Sequence, residues 1–298
     1  MKVMCIGQAA YDITIPVNEY PVENKKIRFD ERIECGGGSS SNASYLLSKW
    51  GLEASFAGVV GNDFYGSKIE EELKNIKVDT KYLEKINKKT TTSYIIANLS
   101  KGTRTILTNR EKNIKLSVTP DTKDLDYIFL DGYEYDFAKK VIEQNPNAIK
   151  IIDAGSLKEH TLELAKLSDY IVCSKDFAEE LTAKKIDFTN LKTLIDMYDE
   201  VESKLNGKLI ITLEEKGSFV KDENYMIVPS IKVKTLDSTA AGDIFHAAFL
   251  YFLSQNMSLK DTLRLANITG ALSVTKIGGR YSIPTSEEVK RVSDDNPL

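Results

Sequence analysis

The residues best placed to do chemistry lie between 237 and 243, in Asp-Ser-Thr-Ala-Ala-Gly-Asp. Two carboxylates bracket a run of small residues. Behind the second, Ile244, Phe245, Ala248, Phe249, Phe252 and Leu253 recur at helical spacing, which predicts a helix over 244–253 buried along one broad face. The first amides of a helix have no partner inside it. Small residues in front leave them open, and the helix dipole favours an anion there. Ala240, Ala241 and Gly242 are therefore candidate donors to an anion. Asp243 stands at the same spot. It is either an N-cap, for which Asp is a preferred residue, or a base that takes a proton from a group held against those amides.

The rest of the chain must position this stretch. Residues 2–7 form a short apolar run ending in Gly7 and read as a buried strand, with Asp12 a few residues on. Residues 13–17 are strand-like again, 18–26 are polar, and Ile27, Phe29 and Ile33 alternate with charged residues as in a strand with one wet face. Gly36-Gly37-Gly38-Ser39-Ser40-Ser41-Asn42 follows. Such a segment can be a flexible linker. Here it leads straight into helical spacing at Ala43, Leu46, Leu47 and Trp50, so its glycines read as a place of close backbone approach. No Lys follows them, so there is no Walker A loop, and no Gly-x-Gly-x-x-Gly follows the first strand.

Further strands are expected over 56–60 and in a hairpin around 100–102, with a helix over 69–76 between them. Strands over 127–130, 149–153, 170–173 and 209–213 then alternate with helices over 137–143, 162–167, 177–181 and 191–205. Residues 217–228 return to β, and helices over 244–253 and 259–274 close the chain. Alternation of this kind predicts βαβ units and a mostly parallel sheet. The expected organisation is one α/β domain over 1–298. Two β-rich stretches, 12–35 and 90–115, would form an accessory sheet that acts as a lid.

Composition narrows the function. The chain has 298 residues, 42% hydrophobic, with net charge −4 and no basic block, which argues against nucleic acid. Its three cysteines have neither disulfide-framework nor metal-ligand spacing, as expected of reduced thiols in the cytoplasm. Two histidines leave little for a His-based metal site. No segment suits a signal peptide or a membrane span.

Asp237-Ser238-Thr239-Ala240-Ala241-Gly242-Asp243 closely resembles the Asp-Thr-x-(Gly/Ala)-Ala-Gly-Asp signature of the ribokinase-like (PfkB) carbohydrate kinases. Gly37-Gly38-x-x-x-Asn42 and Gly58-x-Val60-Gly61-x-Asp63-x-x-Gly66 are similar to two further family signatures, and Thr275 to Pro284 resembles the family's C-terminal nucleotide-side loop. The resemblance spans essentially the whole chain. It implies a three-layer sandwich with a central, mostly parallel sheet and a small β-sheet lid.

It also implies an ATP-dependent kinase acting on a hydroxyl of a small sugar. Asp243 would be the base, and Ala240, Ala241 and Gly242 the anion hole. Asp12, Gly37, Gly38 and Asn42 would bind the acceptor, and Ser174, Thr212, Gly217 and Gly278 the nucleotide. Mg²⁺ would accompany ATP. A potassium ion would sit at Asp237, Thr239 and Ser282, and a homodimer would form through the lid. The family's Asn-x-x-Glu is replaced by Ser174-Lys175-Asp176-Phe177, as in ketohexokinase-like members, and its Thr-x-Gly by Thr212-Leu213-Glu214.

Residue by residue, the plainer readings stand beside these. Asp12 could be a turn residue and Asn42 a helix cap. Arg104 and Arg110 read as solvated lid charges, with contact to an anionic substrate group as the alternative, and His246 reads as structural. A nucleoside kinase and a non-catalytic sugar-binding protein remain as alternative functions.

Overall fold

In the computed structural model, residues 1–112, 114–158, 160–187 and 190–296 are described; Asn113, within the second expected lid stretch, lies outside them. The first strand shows how the core is laid out. β1 (Lys2–Ile6) is apolar on both sides, so Val3 and Cys5 pack into one core and Met4 and Ile6 into another. β1 pairs in parallel with β4 (Glu53–Gly61) and with β8 (Tyr127–Leu130). The sheet continues in parallel from β4 to β5 (Asp79–Ile86), and from β8 through β9 (Ile149–Ala154) and β10 (Tyr170–Ser174) to β11 (Lys208–Thr212). Two antiparallel strands, β12 (Ser218–Lys221) and β13 (Tyr225–Val228), finish the nine-stranded sheet.

Helices cover both faces. α1 (Ser39–Lys49), α2 (Phe64–Asn75), α7 (Ala241–Ser254), α8 (Leu259–Ser273) and α9 (Ser286–Asp295) bury their apolar stripes on the Val3 side. α3 (Tyr135–Gln144), α4 (Thr161–Lys166), α5 (Lys175–Thr182) and α6 (Leu191–Glu202) bury theirs on the Met4 side. The result is the expected α/β three-layer sandwich. The chain leaves β1 toward β4 and returns to β8 on its other side, so the winding reverses at β1. Ligand crevices open beyond the carboxyl ends of strands at such a point. Here those ends are Gly7 and Asp131.

The two β-rich stretches form one separate sheet. β2 (Ala10–Val17) pairs antiparallel with β3 (Ile33–Gly37) and parallel with β6 (Thr92–Asn98), which pairs antiparallel with β7 (Thr103–Asn109). The hairpin turn falls at 100–102, where Gly102 takes φ +64°. This is the small sheet that the sequence implied.

Some elements differ from the sequence reading. Residues 25–32 are not a strand: Ile27 and Phe29 are exposed, so their alternation reflects a surface loop and not a buried face. β5 and α9 were not expected. β5 buries only Tyr82 fully, and α9 only Val289 among its large apolar residues, so neither gives a strong periodic signal. α2 starts at Phe64, five residues before Ile69, because the Asp63 carboxylate caps it by accepting from Gly66 N at 2.9 Å. α7 starts at Ala241, three residues before Ile244, and this changes the meaning of Asp243.

Candidate active site

The N-cap of α7 is Ala240, in the left-handed region at φ +60°, and it makes no side-chain cap bond. Asp243 lies inside the first turn. It is not the cap expected as one of its two roles. Its Oδ2 instead accepts from Asn42 Nδ2 at 2.8 Å. Ala240, Gly242 and Asp243 line a cavity of about 540 Å³ beyond the carboxyl ends of the parallel strands. The amides of Ala240 and Gly242 have no acceptor among the described residues, whereas Ala241 N is turned away and donates to Ser238 O at 3.3 Å. Two of the three expected anion-hole amides are therefore open.

Asp12, buried on β2, lines the same cavity. Burial pushes its carboxyl up to about 6, with a further push from Asp243, against a hydrogen bond from Ser93. Burial likewise pushes Asp243 up to about 6, with Asp153 adding to it and Asn42 and Ser39 opposing. Both acids sit where a negative charge is poorly solvated. The glycines around them are needed for space. A Cβ on Gly37 would lie 2.1 Å from Asp12 Oδ2, and one on Gly38, which takes φ +91°, would lie 2.5 Å from Gln8 O. The open approach expected at the start of α1 is partly closed, because Asp131 Oδ2 takes the amides of Gln8 at 2.8 Å and Ser40 at 3.1 Å.

Asn42 is not a helix cap and does not line the cavity. Its amide oxygen accepts from Arg280 Nε at 3.2 Å while its nitrogen serves Asp243. Arg280 is fully buried. It also reaches Glu72 Oε2 at 2.8 Å and the Ser41 hydroxyl. Asn42 thus holds the Asp243 carboxylate in place, where the sequence reading gave it the acceptor.

On the other side, Ser174 and Thr212 line the cavity at the ends of β10 and β11. Ser174 also caps α5, accepting from Phe177 N at 3.0 Å. Gly217 and Gly278 do not reach the cavity. Each takes positive φ, +104° and +87°, and serves its turn. Asp237 and Thr239 are engaged with each other, and Asp237 and Ser282 with the 278–279 loop. Asp237 Oδ1 accepts from Thr239 N and Oγ1, its Oδ2 accepts from Gly278 N, and Ser282 Oγ donates to Gly279 O. A cation there would depend chiefly on backbone carbonyls.

Sequence reasoning missed Asp153, Lys158, Ser93 and Gln8, which also line the cavity. It also set His246 aside. His246 is buried three residues from Asp243 on the same helix, with Nδ1 3.3 Å from Asp153 Oδ2. Burial would lower its imidazole, but Asp153 and then Asp243 outweigh that and raise it. The i, i+3 spacing of Asp243 and His246 was the available signal. Arg104 is not merely solvated: it lines the cavity and donates to the Ser238 hydroxyl beside the anion loop.

Comparison with known proteins gives the same outline. The model for the pfkB family carbohydrate kinases matches residues 1–286. A ribokinase of Lactococcus lactis is 28% identical, over 97% of this chain and 96% of its own length. A nucleoside kinase of Methanocaldococcus jannaschii is 24% identical, over 97% and 95%. The crystal structure of Arabidopsis thaliana ribokinase with ribose and ATP superposes with a TM-score of 0.79 at 22% identity, covering 98% of this chain and 97% of that one. No helix among the described residues is long and apolar enough to cross a membrane.

Proposed function

Because the chain belongs to the pfkB family of carbohydrate kinases, we propose that it transfers the γ-phosphoryl group of ATP to a hydroxyl of a small sugar, with Asp243 as base. The observation that carries this is the pairing of a carboxylate free of any capping duty with open amides in one cavity. The acceptor hydroxyl is held against Asp12 and turned toward Asp243. Its oxygen forms the new bond to γ-phosphorus, the bond from γ-phosphorus to the bridging oxygen breaks, ADP leaves, and the hydroxyl proton passes to Asp243. The amides of Ala240 and Gly242, with the start of α7 behind them, face the charge on the transferred group.

Among the described residues no three His, Cys, Asp or Glu converge as a metal site. Mg²⁺ would enter with the nucleotide, and bound there it would neutralise phosphate charge. Ser174 and Thr212 stand on the nucleotide side. The small sheet acts as the lid, since Ser93, Ile95, Arg104, Ile106 and Thr108 form the cavity's roof. Its outer face exposes Tyr94 and Leu107, paired across β6 and β7, which suits a homodimer through the lid in the cytoplasm.

A nucleoside is the competing acceptor, since the M. jannaschii nucleoside kinase aligns over nearly the same length. An ADP-release assay against sugars and nucleosides decides. We expect turnover with a sugar. Turnover only with nucleosides supports the second reading, and sugar binding without ADP release supports a non-catalytic protein.

A further inference from the structure

Arg280 opens a single 3-10 turn, Arg280–Ser282, in the loop that follows α8. It is 2% exposed. Each nitrogen of its guanidinium serves a different partner. Nε donates to Asn42 Oδ1 at 3.2 Å, Nη1 to Glu72 Oε2 at 2.8 Å, and Nη2 to the Ser41 hydroxyl. Glu72, on α2, accepts from Gly36 N at 2.9 Å through the same oxygen. Gly36 lies on β3 opposite Tyr11, one pair along from Asp12 and Cys35. A Cβ on Gly36 would lie 2.1 Å from Arg280 Nη1, so the lack of a side chain there lets the guanidinium through.

An ion pair alone would not need this arrangement. Two buried opposite charges often stabilise a fold no better than apolar residues of the same volume. What the buried fork adds is direction. A guanidinium has donors and no acceptor, and a carboxylate has acceptors and no donor. Asn42 stands between one of each. Its oxygen must face Arg280, and its nitrogen then faces Asp243, to which it donates at 2.8 Å. Without Arg280 the amide loses the group that sets its orientation.

We infer that Arg280 is a positioning residue for phosphoryl transfer: it makes Asn42 a donor to Asp243 and, through Glu72, ties that setting to the end of β3 beside Asp12. This rests on the kinase reading above and names a residue on which its base depends. The Asn42 donor favours the ionised base. Asp153, at the end of β9, pushes the same carboxylate up, while Ser39 on α1 and His246 on α7 act with Asn42. Asp12, on β2, is the other carboxylate that feels Asp243. Losing the Asn42 donor therefore raises the pH at which Asp243 ionises.

The test compares Arg280→Met, Arg280→Lys and Asn42→Ala in the full chain, with kcat and KM taken from ADP release across pH. In Arg280→Met, kcat should fall by about tenfold and the acceptor KM should change by less. The acid limb of kcat/KM should move up by about half a pH unit or more. Lys restores a charge opposite Glu72 but not a fork with three partners, so Arg280→Lys should keep the kcat loss even where it recovers the melting temperature. Asn42→Ala should lower kcat alike. Adding Arg280→Met to it should cost less than about twofold more, since one residue acts through the other. Full recovery of kcat by Lys, or two losses that multiply, would make Arg280 a structural ion-pair partner and overturn the inference. A carbon-13 titration of the Asp243 carboxyl, assigned with Asp243→Asn, repeats the test without turnover. Its midpoint should rise in Arg280→Met and rise no further in the double variant; an unmoved midpoint overturns the inference. If no sugar or nucleoside is phosphorylated, the kinase reading falls, and the titration still decides whether Arg280 sets Asn42 against Asp243. If Arg280→Met fails to fold, Arg280→Lys carries both readouts.

Discussion

The nine-stranded sheet and the four-stranded sheet meet at one cavity but differ in how they are held. In the large sheet β8 is buried at every residue and β1 at all but its first, with packed helices on both faces. In the small sheet β7 is exposed at every residue, whereas β6 buries most of its residues and exposes only Tyr94. Asp243 belongs to the first region. Its helix is packed against the core, and its carboxylate is fixed through Asn42 and Arg280. Asp12, Ser93 and Thr108, which line the same cavity, belong to the second and sit on its strands. A base must be held to a fraction of an ångström for in-line transfer. A lid must open, and segments that open have few buried apolar contacts. The joint between the two is explicit. Asp63 accepts from Thr90 N at 2.9 Å and from Thr90 Oγ1 at 2.6 Å, and Gly61 N donates back to Thr90 Oγ1, where the chain enters β6. The family-like Gly61-x-Asp63-x-x-Gly66 stretch thus ties the small sheet to the large one.

The largest test of this contrast removes the base. Asp243→Asn keeps an acceptor for Asn42 but cannot take the hydroxyl proton, so kcat should fall by roughly 10²-fold or more. ATP affinity should hold or rise, because a carboxylate beside the phosphates repels them. A variant with wild-type kcat on its best acceptor would refute the mechanism. The next effect is on the lid side. Asp12→Ala removes hydrogen bonds to a charged acceptor, worth about 1.5–3 kcal/mol, so the acceptor KM should rise by tenfold or more while ATP binding stays near normal. An unchanged KM would reduce Asp12 to a structural residue. Hydrogen exchange then compares the two sheets directly. Amides of β6 and β7 should slow by about tenfold when acceptor binds, and those of β1 and β8 should not change. Equal protection with and without acceptor would remove the lid role.

How much of this could be read from the chain follows the same division. The core was legible because buried strands and helices carry strong periodic patterns: Lys2–Ile6, Tyr127–Leu130 and Leu259–Ser273 stand close to where the pattern puts them. The anion loop was legible because small residues before an apolar helix have few other uses. The exact start of α7 was not, since nothing in Thr-Ala-Ala-Gly marks Ala240 as the residue that takes positive φ, and so cap and base could not be separated. Asn42 was placed on the acceptor because its true partner, Arg280, is 238 residues away. Arg110 read as a solvated charge and Lys158 drew no reading, because their convergence on Tyr133 is a tertiary fact, invisible to spacing.

The smallest expected effect is on stability, and it follows from the desolvation of the base. The Asp243 carboxyl is pushed up to about 6 in the folded chain, against an ordinary value of 3.8. The folded state therefore binds that proton more tightly than the unfolded state. Below about pH 4 both states are protonated and the group costs nothing. Between about pH 4 and pH 6 the unfolded state loses its proton first, so the cost to folding grows, and above about pH 6 it is constant. Asp243→Asn has no such group. Its melting temperature should match wild type near pH 4 and exceed it by about 2–4 °C at pH 8, since the side chain is only half-buried and part of the cost is screened. Asp12→Asn should follow the same window, because Asp12 is also pushed up to about 6. The comparison between regions then becomes quantitative. A gain at pH 8 for Asp243→Asn alone would mean that Asp12, on the small sheet, is wetter than its buried position indicates. A gain for neither would mean that water reaches both carboxylates, and that the cavity does not raise the base toward the pH at which it must accept a proton.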